Sequence, residues 1–263
     1  MADMCLRAGC TLAFQPASSA PMVVMLRPRS DRGQWVRRQT YQLTPRVGVT
    51  ETTDQFGNLV QRLVAPAGPF EIRTESEVLI STPPPGDAQA GFTAVPDLPD
   101  AALIYLLPSR YCESDRFGDM AWQIVQDTKP GYPQVATITQ WVREHVRNVP
   151  LSSTYAVSAV EVNQRREGVC RDLAQLAITL CRAICIPARL VVGYLHALEP
   201  MDIHAWFEAY IGGEWITFDP AVPDTQAPRI VIARGRDATD VAIYNQYGPL
   251  LLPTAMHVSV EVI

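Results

Sequence analysis

Gly168-Val169-Cys170-Arg171-Asp172 is followed by Leu173, Leu176, Ala177, Leu180 and Ile184, whose offsets trace one stripe of a helix. Pro187 stops the pattern, so Cys170 falls at or very near the helix N-terminus. The position matters because the thiolate is the nucleophile, and a free cysteine with a pKa of about 8.5 is mostly protonated at neutral pH. Unpaired N–H groups and the positive helix end stabilise an anion there. The same donors can serve a developing oxyanion. Gly168 leaves room for a close backbone approach. Taken alone, Cys170 is better explained as a small buried residue that opens a helix.

The next segments supply partners. Ala188–Leu195 reads as a strand. In Ile203–Ile211, His204, Trp206, Glu208 and Tyr210 alternate with Ala205, Phe207, Ala209 and Ile211. Gly212-Gly213 is a two-residue hairpin signal, and Glu214–Asp219 is the returning strand. That turn pairs Ile211 with Glu214, Ala209 with Ile216, Phe207 with Phe218 and Trp206 with Asp219. Asp219 then shares a face with His204, about 7–8 Å away diagonally. An Asp so placed can orient an imidazole. A three-residue turn would flip the face and break the inference. Each signal is weak alone; together they predict Cys170, His204 and Asp219 as a catalytic triad.

Further out, the texture changes. Residues 20–80 hold short β-branched and aromatic runs such as Met22–Leu26, Gln39–Leu43 and Gly57–Leu63. Phe70–Ile80 alternates, with Phe70, Ile72, Thr74, Ser76, Val78 and Ile80 on one side, so one face is expected in the core. Such strands suggest an antiparallel sandwich. Pro83-Pro84-Pro85-Gly86 and then Pro96 and Pro99 mark a linker. The division expected is 1–100 as an N-terminal β-sandwich-like domain, its boundary within 82–115, and 101–263 as the catalytic domain. A helix is expected over Asp115–Gln126, with Asp115 as N-cap, and another over Gln134–Arg147 after the break Pro130-Gly131-Tyr132-Pro133.

These blocks resemble a known family. Gly168-Val169-Cys170-Arg171-Asp172, Ile186-Pro187-Ala188-Arg189, Gly193-Tyr194, His204-Ala205-Trp206-Phe207-Glu208 and Trp215-Ile216-Thr217-Phe218-Asp219-Pro220 are similar to motifs of the transglutaminase-like superfamily. Leu107–Asp115 and Val231–Ala238 resemble segments of its bacterial branch, which includes cysteine proteases. The resemblance covers about 105–250; residues 1–80 share only β-rich texture with the family's N-terminal domain. It implies an α+β fold: an antiparallel β domain, then a papain-like core whose nucleophile helix packs on an antiparallel sheet. It also implies Cys170 as nucleophile, His204 as base and then acid, and Asp219 as its orienter. The activity implied is acyl transfer from an amide or peptide bond through a thioester. Hydrolysis by a peptidase or amidase is expected over transamidation. A non-catalytic protein-binding module retaining the fold is the alternative. No motif fixes a second oxyanion donor; Gln164 and Tyr155 are weak candidates. Trp206 either walls an acyl channel or packs within the strand.

Composition narrows the remaining classes. The chain has 263 residues, 48% hydrophobic and 19% charged, enough for a packed core. A net charge of −5 gives no support to nucleic-acid binding. Lys129 is the sole lysine; base composition explains that, or a poor acceptor for its own acyl transfer. Among Cys5, Cys10, Cys112, Cys170, Cys181 and Cys185 there is no C-x-x-C spacing. Cys181 and Cys185 are expected to share a buried helix face, and Cys112 to be structural. A metal site from Cys170, Cys181, Cys185 and His204 is opposed by helix rise, about 16–23 Å between its ends. No cofactor and no metal are expected. The partner expected is a protein or peptide substrate, with no membrane contact and no transmembrane helix. The location expected is cytoplasmic, with reduced cysteines.

Overall fold

A computed structural model describes residues 3–81, 87–150, 155–223 and 226–263. The proline run Pro83–Pro85 and Gly86, within the expected linker, lie outside the described residues. The chain begins with strands β1 (Asp3–Phe14), β2 (Ala20–Val24), β3 (Gln34–Thr44), β4 (Val49–Thr53), β5 (Leu59–Ala65) and β6 (Phe70–Ser81). Helices α1 (Asp100–Leu103), α2 (Gly118–Val125) and α3 (Tyr132–His145) follow. A short parallel pair, β7 (Arg147–Asn148) and β8 (Glu167–Gly168), brackets α4 (Ala159–Arg165), and α5 (Cys170–Ala183) begins just after it. Next come β9 (Ala188–Leu195), β10 (Ile203–Ile211), β11 (Glu214–Phe218) and β12 (Arg229–Gly235). The last strands are β13 (Tyr244–Gln246) and β14 (Ala255–Val262).

The N-terminal part forms two antiparallel sheets, ordered β14-β1-β6-β3 and β13-β2-β5-β4. Alternation drives them: Leu6, Ala8, Cys10, Leu12 and Phe14 of β1 are buried, as are Phe70, Ile72, Thr74, Ser76, Val78 and Ile80 of β6. Phe14 and Tyr244 meet edge to face across the two sheets, ring centroids 5.4 Å apart. The expected division assigns 101–263 to the catalytic domain. Instead β14 pairs with β1 along Leu6–Ala13 and β13 pairs with β2. The physical reason is that β1 and β2 would otherwise present open edges to solvent.

The core sheet is ordered β11-β10-β9-β12, all antiparallel. Helix α5 packs on β9 and β10 and is surrounded by α2, α3 and α4, so Asp172 through Arg182 are all buried. Two helix starts differ from expectation. Asp115 lies in a 3-10 turn, Ser114–Arg116, and α2 begins at Gly118. Helix α3 begins at Tyr132, because Pro133 fits a first helical turn, where its missing N–H costs nothing. Gly131 precedes it at φ 103°, a conformation that favours glycine.

Candidate active site

The hairpin register follows the predicted turn. Gly212 and Gly213 both have positive φ, 60° and 86°, as a two-residue hairpin of this hand requires. Phe207 pairs with Phe218, Ala209 with Ile216 and Ile211 with Glu214. This puts Asp219, one residue past β11, on the His204 face. His204 Nε2 and Asp219 Oδ2 lie 2.7 Å apart, both buried. Cys170, at the first position of α5, lies close enough to the same imidazole to help raise its pKa. With Nε2 committed to Asp219, the sulfur is left the Nδ1 side of the ring. Cys170 itself is partly exposed, whereas His204 and Asp219 are buried.

Local sequence explains each placement. Asp172 folds back so that its Oδ2 accepts from Val169 N–H at 3.2 Å, which fixes the turn into α5. A Cβ on Gly168 would stand 2.8 Å from Asp172 Cβ, so the room at Gly168 is taken by this side chain. Gly193 pairs with His204 across the sheet. A Cβ there would meet Ile230 O at 2.0 Å and Trp206 Cη2 at 2.9 Å, so only glycine lets the strand and the indole approach. Trp206 is buried and stacks on His204, centroids 6.0 Å apart. It supports the imidazole from beneath and does not wall an open channel.

Asp219 is held on every side. Its Oδ1 accepts from the N–H groups of Ala221 and Val222 at 3.0 and 2.9 Å. Its Oδ2 also accepts from Arg229 Nη2 at 3.2 Å. Arg143 Nη2, from α3, donates to the Asp219 carbonyl at 2.8 Å. Burial works against the carboxylate's charge, yet the His204 hydrogen bond and charge, the Val222 N–H and the Arg229 cation hold it below the usual range. For His204 burial opposes the proton, but Asp219 and Cys170 outweigh it and raise the pKa to about 9. Asp202, whose own pKa burial raises, lies close enough to feel the His204 charge.

The weak oxyanion candidates Gln164 and Tyr155 are both exposed. Gln164 is exposed on α4 and lines a shallow pocket with Arg116, Met120 and Asn163. Tyr155 meets Arg171 through its carbonyl, at 2.8 Å, and its side chain is exposed. Burial pushes the Cys112 thiol up to about 12 and raises that of Cys181 further, the behaviour of core residues. Cys185 departs from expectation. It lies past the helix end, exposed, at φ 63°. The bonds Ile186 N–H to Cys181 O and Cys185 N–H to Arg182 O, both 3.0 Å, make a Schellman turn that swings it off the helix face. Among the described residues no His, Cys, Asp and Glu group has metal-binding geometry.

The comparisons agree with this architecture. Residues 118–220 match the transglutaminase-like superfamily core, and residues 14–80 match the bacterial transglutaminase-like N-terminal region. An uncharacterized protein of Mycobacterium bovis is 30% identical over 230 residues, 72% of this chain and 68% of its own. The chain belongs to the transglutaminase-like superfamily. An uncharacterized Mycobacterium leprae protein is 27% identical over 244 residues, 86% of each chain. The crystal structure of a candidate cysteine protease from Cytophaga hutchinsonii superposes with a TM-score of 0.92 at 30% identity, covering 100% of this chain and 92% of that one. Membership of a cysteine-enzyme family is thereby shown, and the N-terminal match goes beyond shared β texture.

Sequence reasoning missed Arg229 and Arg143. Arg229 opens β12 after Pro228 with no motif to flag it; only the register of a third strand could have found it. Arg143 sits in an ordinary helical pattern.

Proposed function

We propose that the chain is a cysteine peptidase or amidase, with Cys170, His204 and Asp219 as its catalytic triad. The observation that carries this is one buried imidazole bonded at Nε2 to Asp219, 2.7 Å away, and close enough to the partly exposed Cys170 at the start of α5 to feel its charge. Cys170 passes its thiol proton to His204, Sγ attacks the amide carbon to form a C–S bond, and the carbonyl π electrons move onto oxygen. The Cys170 N–H, first of the helix and so without an intrahelical acceptor, is the donor proposed for that oxygen. Collapse breaks the C–N bond as His204 gives its proton to the leaving nitrogen. A proton held to about pH 9 makes His204 an available acid throughout the neutral range. Water then attacks the thioester with His204 taking its proton, and C–S cleavage releases a carboxylic acid.

The test is a quenched fluorescent peptide library with a labelled primary amine added, on wild type and Cys170→Ala. Cleavage that the alanine variant abolishes supports the reading. Amine incorporation without cleavage overturns hydrolysis in favour of transamidation. If neither product nor a hydroxylamine-trapped acyl group forms, the binding-module alternative replaces the enzyme.

A further inference from the structure

We propose that Arg229 is a positioning residue of this site, a permanent countercharge that keeps Asp219 ionised and aimed while His204 gains and loses its proton. The consequence for turnover rests on the peptidase reading; the contact itself does not. Arg229 Nη2 shares Asp219 Oδ2 with the imidazole, at 3.2 Å against 2.7 Å. Its Nη1 is anchored on Ala227 O at 2.8 Å. The guanidinium lies over the Trp206 ring at 5.6 Å, the same indole that stacks on His204. Its side chain is only 8% exposed.

The need for such a charge follows from burial. Asp219 is fully buried, and an uncompensated buried carboxylate is strongly unfavourable. His204 compensates it only while protonated, and the proposed cycle requires it to be neutral at intervals. The Ala221 and Val222 N–H groups satisfy Oδ1 but carry no net charge. Arginine does not deprotonate in proteins, so Arg229 keeps the carboxylate charged through the neutral-imidazole stage. Without it Asp219 would compete for the proton His204 must move.

The test follows the ring resonances of 15N-histidine-labelled protein against pH, with His204 assigned by its loss in His204→Gln. The groups facing the ring and its carboxylate are Cys170 from α5, Asp202 ahead of β10, Arg229 from β12, and Arg143 from α3 at the Asp219 carbonyl. Removing a neighbouring cation leaves Asp219's charge to His204 alone. Arg229→Gln and Arg229→Met are therefore expected to shift the His204 titration upward by about one pH unit, and Arg229→Lys to restore it. A structural role alone would lower the melting temperature and leave the titration in place, which overturns the proposal. If neither charge-free variant folds, Arg229→Lys decides. A folded lysine variant with the wild-type titration supports the countercharge; one that also fails to fold counts against it. The readout needs no substrate, so a protein that cleaves nothing leaves this result standing.

Discussion

His204 and Asp219 tie activity and stability to one hydrogen bond. The His204 pKa is raised from 6.5 to about 9, so its contribution is fully present below about 6.5 and is lost as pH rises through about 9. Asp219 is lowered from 3.8, so its contribution is present above that value and is lost as pH falls through the folded-state pKa. Unfolding followed across pH should show a decline that sets in above about 6.5 and is complete near 9, and that His204→Gln flattens; an unchanged decline contradicts the pairing. Asp219→Asn should keep the fold and slow peptide cleavage roughly 100-fold or more, because an amide fixes the wrong tautomer. Cys185 offers a different check, since a left-handed conformation costs a non-glycine residue about 1–2 kcal/mol. Cys185→Gly should raise stability by about 1 kcal/mol in chemical denaturation, part of the gain being offset by the freer unfolded chain. At this scale the sequence was most legible where a side chain's role depends on local spacing, as for Cys170 at a helix start. Arg229 was illegible because its contact depends on how β12 is registered against β9.

Elements carry the next layer, and Arg182 joins several of them. It lies buried on α5, where burial lowers its pKa against the opposing charge of Asp237. Its Nε and Nη2 donate to Ala188 O, Nη1 to Leu107 O and Ser109 Oγ, and Nη2 also to Arg236 O, at 2.6–3.1 Å. The helix is thereby tied to the start of β9, to the loop before α2 and to the turn after β12. This gives a physical reason for the Leu107–Asp115 and Val231–Ala238 segments that the sequence could quote only as family likeness. Arg182→Met strands buried carbonyls and should cost about 3 kcal/mol or more. Arg182→Lys should not rescue it, because one ammonium cannot replace the planar fork. A loss below about 1 kcal/mol in urea unfolding would mean that water replaces these bonds. The hairpin was readable because two adjacent glycines fix turn, register and face together. The start of α2 was not, because Ser114–Arg116 forms a tighter turn whose bonds compete with an Asp115 cap.

Across the whole molecule, the N-terminal sheets brace the core rather than hang from it. Gln34 exchanges two hydrogen bonds with Val231, and Asn58 two with Arg234, all at 2.8 Å. These amides occupy the outer edge of β12, the strand that presents Arg229. Arg234 extends the contact, bonding Asp31 at 2.7 Å and buried Glu208 at 3.2 Å. The linker and change of texture made a two-part chain legible. That the tail returns to the first sheets was not, because β13 has three residues and the alternation of β14, Met256, Val258, Val260 and Val262 against His257, Ser259 and Glu261, names no partner strand so far away in sequence. A chain ending before Tyr244 should expose the β1 and β2 edges and lose soluble yield; full solubility with an unchanged melting temperature would show those pairings to be dispensable.

Limiting iodoacetamide on the native protein, with peptide mapping and a His204→Ala control, tests the central claim most directly. Exposure alone would have Cys185 react first. An activated pair predicts that Cys170, only partly exposed, reacts fastest, stays reactive well below pH 8 and loses that advantage in His204→Ala. If Cys170 reacts no faster than Cys185, or keeps its rate without His204, the triad is not assembled for catalysis in the resting protein.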